Sequence, residues 1–495
     1  MNYPTLSKNF IFGITTLTLS ANASVDVQSS SYKDSWIDLY IKSKSAPIAI
    51  KRNYQSRSVL TGVFGYGWCT ILDHKVIRDK NNYIKILSCS DTSGTLYTQT
   101  QPAPENAPQI SNVFTAGNRP FERVRKINNT YIRSLPDHSV ERYNDEGRII
   151  EYVDREGRSL KFKYNRRGHV VRIYSDIDQI QLRYTRMGRV REIRNRYGVA
   201  ASYRYKGDNL VQGRSAWDNV YQFKYDEFHN LQQIEYPDDT TKHVVFDSIN
   251  DRVIGFKDRN DCFESFRYHR VSRLKFETDY RKECEDSIES SSIEFQYKQT
   301  SWEETYLDRV VRRIEGRVET TVFDPRFGKP ILIDRDGKRD RRKYDNKSRM
   351  VAQSTENTHK VYEYNEESQK PRRLIKINTK TKSKEETIYS YDQRDKLISA
   401  ENTNGEQVKV NYDDQGRLLS IVGKENLKVH FIYRKDDKKP TSIVRPGIGH
   451  LSLEYDKKGR ISRVSSRQGP KVAHEITNTL SNLLRVIDAD LEQLN

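Results

Sequence analysis

The sequence predicts an all-β fold, a long coiled antiparallel β-hairpin ribbon that closes with one amphipathic helix, and three observations predict it. Tyrosine followed by a polar turn, a basic residue and an apolar residue recurs at intervals near 21 residues. The segments before these tyrosines alternate apolar and polar, and the C-terminal stretch switches to apolar spacings of three and four. A register sustained over hundreds of residues marks a repeat array.

The clearest copies run from Tyr143 to Ile149, Tyr412 to Leu418 and Tyr455 to Ile461. Weaker copies begin at Tyr164, Tyr184, Tyr225, Tyr268, Tyr344 and Tyr391, and degenerate ones at Tyr205, Phe246, Phe323, Tyr364 and Tyr433. Ahead of the anchors, Leu160-Lys161-Phe162-Lys163-Tyr164 and Ile180-Gln181-Leu182-Arg183-Tyr184 have the period of two that half-buried strands require. The Asp/Asn-x-x-Gly segments that follow supply side chains that bond their own backbone and a residue tolerant of positive φ. Each repeat is therefore one hairpin, too small to be stable alone and stable when laid beside its neighbours. About 30 strands at roughly 4.8 Å each give a ribbon on the order of 140 Å long. Wound into a single turn, it would enclose a lumen about 35 Å across.

With these repeats, Arg52-Asn53-Tyr54-Gln55-Ser56-Arg57-Ser58 and Phe64-Gly65-Tyr66-Gly67-Trp68 carry a resemblance. Over roughly residues 35–470 the chain resembles the Rhs/YD-repeat family of bacterial proteins, to which teneurin shells and the cocoon components of insecticidal Tc toxins are related. The resemblance implies a β-shell or partial shell, in a family whose members serve as toxin capsules, adhesion modules and surface proteins. Rhs toxins end their shell with a self-cleaving Asp-Pro-x-Gly-Leu core and a toxin domain. The nearest text here, Phe323-Asp324-Pro325-Arg326-Phe327-Gly328, sits at an ordinary repeat turn, so neither the core nor a toxin domain is expected.

The expected organisation is a secretory signal over 1–23, an opening β region over 24–100 and a linker or loop over 101–120. The repeat array follows over 121–468 and the helix over 470–495. Lys8, the apolar stretch from Phe10 to Leu19 and Ala21-Asn22-Ala23 compose the signal. No run approaches the roughly 18 apolar residues of a transmembrane helix. The protein is read as exported to periplasm, cell surface or medium. Glu283–Ser292 and the tip Asn378–Thr387 are read as exposed loops. In the helix, Leu480, Leu483, Leu484, Ile487 and Leu491 form an apolar stripe. It either covers the open end or concavity of the ribbon or docks on another subunit or a membrane surface.

Cys69, Cys89, Cys262 and Cys284 are the cysteines, and each close pair flanks a turn. Placement about a turn predicts disulfides Cys69–Cys89 and Cys262–Cys284, with buried free thiols as the alternative. The spacings do not suit zinc.

The net charge of +18 over 495 residues points to an acidic partner such as an acidic glycan, lipopolysaccharide or envelope surface, and not to nucleic acid. Lys163, Arg183, Arg204, Lys224 and Arg267 each precede an anchor. With hairpins in register they would form a basic row about 10 Å apart, near a Debye length. Either a polyanion bridges that row, or it is a solvated face that discourages edge aggregation. Phosphate loop, His-Glu-x-x-His, Gly-x-Ser-x-Gly, dinucleotide and EF-hand patterns are missing, so no enzyme activity, cofactor or metal is expected. The residues read as a non-enzymatic exported scaffold that binds an envelope or glycan partner. The alternative is a partial shell of a toxin or delivery system that encloses or chaperones a separate polypeptide cargo.

Overall fold

The computed structural model describes residues 25–487 apart from 44–46, 79–82, 103–111, 117–118, 120–121, 156, 248, 300–304, 367, 394–395, 414–415, 425–426, 435–438 and 456–460. The expected signal segment and Leu491 lie outside the described residues. Strands are numbered in chain order from β1 (Val25–Asp26) to β42 (Ile461–Ser465), and one helix, α1 (Pro470–Ile487), follows. The strands from β7 (Lys75–Arg78) to β42 belong to one antiparallel sheet in which sequence neighbours pair. At its start the sheet folds back on itself, because Lys75 bridges Arg148 and the Val76 N–H donates to the Gly147 carbonyl at 2.9 Å.

The repeat is built as follows. The turn Asn or Asp accepts a hydrogen bond from the amide four residues on, as in Arg148 N–H to Asn144 Oδ1 and Arg417 N–H to Asp413 Oδ1. A residue at positive φ completes the turn: Gly147 at 77°, or His229 and Ser348 at 69° and 63°. The strand register shifts by one residue immediately before the anchor at twelve positions, including Tyr164, Tyr184, Tyr344 and Tyr455. Each shift is a β-bulge, which bends and twists its strand, so a bulge per hairpin coils the whole ribbon.

The coil is tighter than the single 35 Å ring. Gln369, in the turn after β33 (Thr358–Tyr364), donates to the Pro136 carbonyl in the turn after β12 (Thr130–Ser134). The ribbon therefore meets itself after about 21 strands, a circumference of roughly 100 Å at ~4.8 Å per strand, and it continues past that point as a spiral.

Inside the spiral lies a second unit. Strands β1, β2 (Ser31–Ile41), β3 (Ile48–Gln55) and β6 (Trp68–Cys69) form a small sheet, here called the plug, which occupies the concave face. Within residues 24–100 the strands are shared between two sheets: the plug ends near Asp73, and β7 to β9 (Asp91–Pro102) join the wall. Residues 101–120 do not link separate units, because β9 pairs with β10 (Asn112–Thr115) inside the sheet. Most of Glu283–Ser292 is strand, as β27 spans Ser287–Gln299 and pairs with β26 throughout.

Two glycines separate close approach from backbone strain. A Cβ on Gly147 would stand 1.9 Å from the Val76 carbonyl oxygen, whereas one on Gly337, at φ 88°, would meet nothing within 4 Å. Gly337→Ala is expected to cost about 1 kcal/mol, the left-handed strain alone. Gly147→Ala is expected to cost at least about 3 kcal/mol, because it also breaks the sheet's fold-back. Urea unfolding of the two variants checks the difference.

Candidate functional site

The concave face is where most of the molecule's buried polar chemistry collects. Arg52 lies at its centre, fully buried and bound to Asp38 through Nε and Nη2 at 2.6 and 2.9 Å. Rings of Trp36, Phe64, Trp68, Tyr203 and Phe223 surround the guanidinium at 4.9–5.9 Å. Burial works against the cation, and the Asp38 carboxylate more than offsets it. Around this pair the plug is stitched to the wall. Tyr54 Oη accepts the Leu231 N–H at 3.0 Å, Trp68 Nε1 donates to Tyr225 Oη at 3.0 Å, and Lys242 Nζ meets Asp34 at 2.9 Å. Further along, the Val190 and Val253 amides donate to Val63 and Ser30 carbonyls. Gly65 permits the approach, since a Cβ there would stand 2.3 Å from the Asp208 carbonyl oxygen.

A second buried network sits where plug meets wall. Glu141 accepts from Arg133 at 3.0 Å and from Tyr143 at 2.7 Å, and it pairs with His74 Nδ1 at 2.8 Å. Arg133 also reaches Glu122, which binds Tyr97. Burial pushes the Glu141 pKa up, but His74 and Arg133 outweigh it and hold it down at about 2. His74 Nε2 accepts the Cys89 N–H, beside the Cys69–Cys89 disulfide. Asp73 behaves oppositely: burial raises it to about 6 despite hydrogen bonds from the Thr70 and Val63 amides.

The two cysteine pairs are bonded, with Cα separations of 5.4 Å for Cys69–Cys89 and 4.3 Å for Cys262–Cys284. Their settings differ. Cys262 and Cys284 close the open end of the hairpin formed by β25 (Phe263–Ser272) and β26 (Lys275–Cys284), next to the Phe263–Glu283 pair. Cys69 does not face Cys89 across a hairpin; it pairs with Asn53 in the plug sheet, so that bridge ties plug to wall.

Lys163, Arg183, Arg204, Lys224 and Arg267 all lie exposed on the convex face. They do not stand in a straight row. Lys163 opposes Arg172, which opposes Gln181, two residues short of Arg183, so the register advances two residues per hairpin. That makes the spacing roughly 12 Å, from two strands at ~4.8 Å and two residues at ~3.4 Å. Arg183 is also shared with Glu192 at 3.5 Å, and Lys224 donates to Gln233 at 3.3 Å.

Leu480, Leu483 and Ile487 are buried and Leu484 is half-buried, packed on the concave side of the last strands. Among the described residues the stripe packs on the chain's own sheet. The Tyr389 hydroxyl donates to the Ile487 carbonyl at 3.0 Å and fixes the helix end. Among the described residues no helix is long and apolar enough to cross a membrane.

Between plug and helix, the wall from β29 (Arg317–Phe323) to β34 (Pro371–Asn378) is half-buried and polar, and residue-by-residue reading passed over it. Its signal was present in the repeat itself. The position two before the anchor, apolar in most hairpins, is Arg342 here.

The teneurin YD-shell family model matches residues 373–491, and a model described as a domain of unknown function (DUF6531) matches residues 23–96. The first covers the helix-bearing end of the spiral, and the same Tyr-anchored hairpin continues back through the wall. These matches and the repeat support the Rhs/YD-repeat family. No curated protein matches the chain. Solved structures similar to this YD-repeat chain include TcdB2-TccC3-TEV (9% identity, TM-score 0.42, 92% of this chain and 30% of that one). TcdB2-TccC3-Cdc42 matches at 10% identity and TM-score 0.41, over 88% of this chain and 28% of that one. The Photorhabdus luminescens Tc holotoxin pore with the TccC3-D651A mutation matches at 9% and 0.37, over 80% and 29%. The chain thus spans about 30% of the length of the structures it matches.

Glu141 sets an acid limit. Its folded pKa of about 2 lies below the ordinary 4.5, so it stabilises the fold fully above pH 4.5 and progressively less as pH falls towards 2. Glu141→Gln should be less stable at neutral pH and should lack that part of the acid-side slope. Stability followed by urea unfolding from pH 6 to pH 3 reads the difference.

Proposed function

We propose that this YD-repeat protein is a non-enzymatic, exported partial shell that winds around its own plug and retains a separate polypeptide on the concave wall left over. One observation carries the reading. The plug covers the wall from Glu141 to Tyr297 and α1 covers it from β36 (Leu397–Asn402) onward, while between them β31 to β33 are half-buried and largely polar, beside the buried Ile333 and Leu374. A scaffold that needed only its own core would carry apolar residues there under cover, as it does on both sides. Export is supported by the sequence of residues 1–23 and by a cysteine set that pairs completely.

A second reading, binding of an acidic glycan or lipopolysaccharide, rests on the common exposure of Lys163, Arg183, Arg204, Lys224 and Arg267. It is weakened by the charge the fold consumes internally, since the basic residues of many anchor turns stack on neighbouring tyrosines.

Affinity capture from envelope extracts and culture medium separates the two, with full-length protein and a variant reversing those five charges. The shell reading expects one defined polypeptide, retained equally by both proteins and protected from added protease. Salt-sensitive retention of glycan or lipopolysaccharide that the variant loses would replace it with the surface-binding reading.

A further inference from the structure

The joint between plug and wall brings together three side chains with metal-ligating atoms. Cys69 ends β6 in the plug, and His74 follows after one 3-10 turn, Ile71–Asp73, closed by the His74 N–H to the Ile71 carbonyl at 3.2 Å. Cys89 arrives from the wall, immediately after β8 (Ile84–Ser88), whose partner β7 begins one residue past His74. The sulfurs of Cys69 and Cys89 and a ring nitrogen of His74 all lie within 4.8 Å of one another. Among the described residues this is the one such group of three. Sequence spacing conceals it, because Cys89 stands 15 residues beyond His74 and only strand pairing returns it to the imidazole.

The histidine is held as a metal ligand is held. Its Nε2 accepts the Cys89 N–H at 3.2 Å, so the ring proton sits on Nδ1, which donates to Glu141 Oε1 at 2.8 Å. A carboxylate on the far nitrogen fixes both the tautomer and the ring plane, and it is the usual outer partner of a zinc-bound imidazole. Glu141 is in turn fixed by Arg133 at 3.0 Å and Tyr143 at 2.7 Å. Charge suits the site as well. Two thiolates cancel the charge of one divalent cation, so the metal adds none to a place where Glu141 and Arg133 are already paired. A tetrahedral zinc, with Zn–S about 2.3 Å and Zn–N about 2.1 Å, sets its ligand atoms roughly 3.6–3.8 Å apart, inside the span these three already cover. Cys69 is buried, whereas His74 and Cys89 are half-buried and reach solvent.

We propose that the dithiol form of this joint is a zinc site, with Cys69 Sγ, Cys89 Sγ and His74 Nε2 as ligands and water in the fourth position. A dithiol or phosphine reductant opens the Cys69–Cys89 bond. Each sulfur gains one electron and one proton while the reductant is oxidised to its disulfide or phosphine oxide, and zinc binding then returns both protons to solvent. Disulfide and metal are two forms of one tie between plug and wall, selected by the redox state of the surroundings. The inference goes beyond the shell reading and does not depend on a retained polypeptide.

The test uses full-length protein, reduced with a phosphine and desalted without oxygen, then titrated with Zn2+ against a chromogenic chelator and with Co2+ as a spectroscopic probe. One ion per chain and a thiolate-to-cobalt charge-transfer band are expected, and neither in the disulfide form. Zinc should slow alkylation of Cys69 and Cys89 by iodoacetamide and leave the rates at Cys262 and Cys284 unchanged, a mass-spectrometric readout that needs no variant to fold. Glu141→Gln, which removes the outer carboxylate, should weaken zinc binding about ten- to hundredfold. His74→Gln should weaken it further, and Cys262→Ser with Cys284→Ser should leave it as it is. Zinc should also raise the urea midpoint of the reduced protein, because it binds the folded joint. A reduced protein that takes up no zinc, protection that falls on Cys262 and Cys284, equal uptake by the disulfide form, or wild-type affinity in His74→Gln overturns the proposal.

Discussion

The fold depends on one hydrogen bond made over and over. Most anchor tyrosines donate their hydroxyl to the carbonyl of the residue just past the turn of the preceding hairpin, as Tyr184 does to Val170 and Tyr205 to Val190. Ten such bonds, at 2.6–3.0 Å, run from Tyr164 to Tyr455. In nine of the ten the acceptor belongs to the residue that pairs with the preceding anchor at a bulge, where the regular ladder is interrupted and a carbonyl is left for a side chain. The bulge that coils the ribbon therefore also creates the acceptor that joins one hairpin to the next. The basic residue of the turn completes the joint. Arg148, Arg349, Arg417 and Lys439 lie over the tyrosine of the following hairpin at 4.6–5.8 Å.

That joint changes the meaning of the net charge. A chain of +18 invites a polyanion as explanation, yet much of its arginine and lysine is committed to ring faces and to turn carboxylates, as in Arg158–Asp154 and Arg349–Asp345. The convex row from Lys163 to Arg267 is exposed, and Arg342 stands out because it occupies a position that most hairpins fill with an apolar side chain.

The repeat, its strands and the closing helix could be read from the sequence because they rest on local rules: a period of two, turn residues with a fixed offset, and apolar spacings of three and four. What could not be read were long-range matters. The bulges leave no composition mark, so strand count alone gives one wide ring. The plug was invisible as a separate body because its strands share the alternation of the wall. Its signature residues, Arg52, Tyr54 and Trp68, show their purpose only when Leu231 and Tyr225, more than 150 residues later, are brought against them. Spacing about a turn predicts the pairing of Cys69 with Cys89, although Cys69 belongs to the plug sheet and not to that hairpin, and each residue of the inner polar wall is ordinary for a strand taken singly.

The plug's partners have a consequence for the order of assembly. Tyr54 waits 177 residues for Leu231, and Gln28 waits 269 for Tyr297, whereas each wall hairpin finds its neighbour within about 20. Contacts so distant in sequence are slow to form and come after local ones. A chain that emerges from its N-terminus thus presents the core of the winding long before the material that winds around it. The plug is a mandrel, and every hairpin added from Tyr143 onward is shaped against a surface already in place. Where the mandrel ends, near Tyr297, the wall must hold its curvature by its own bulges.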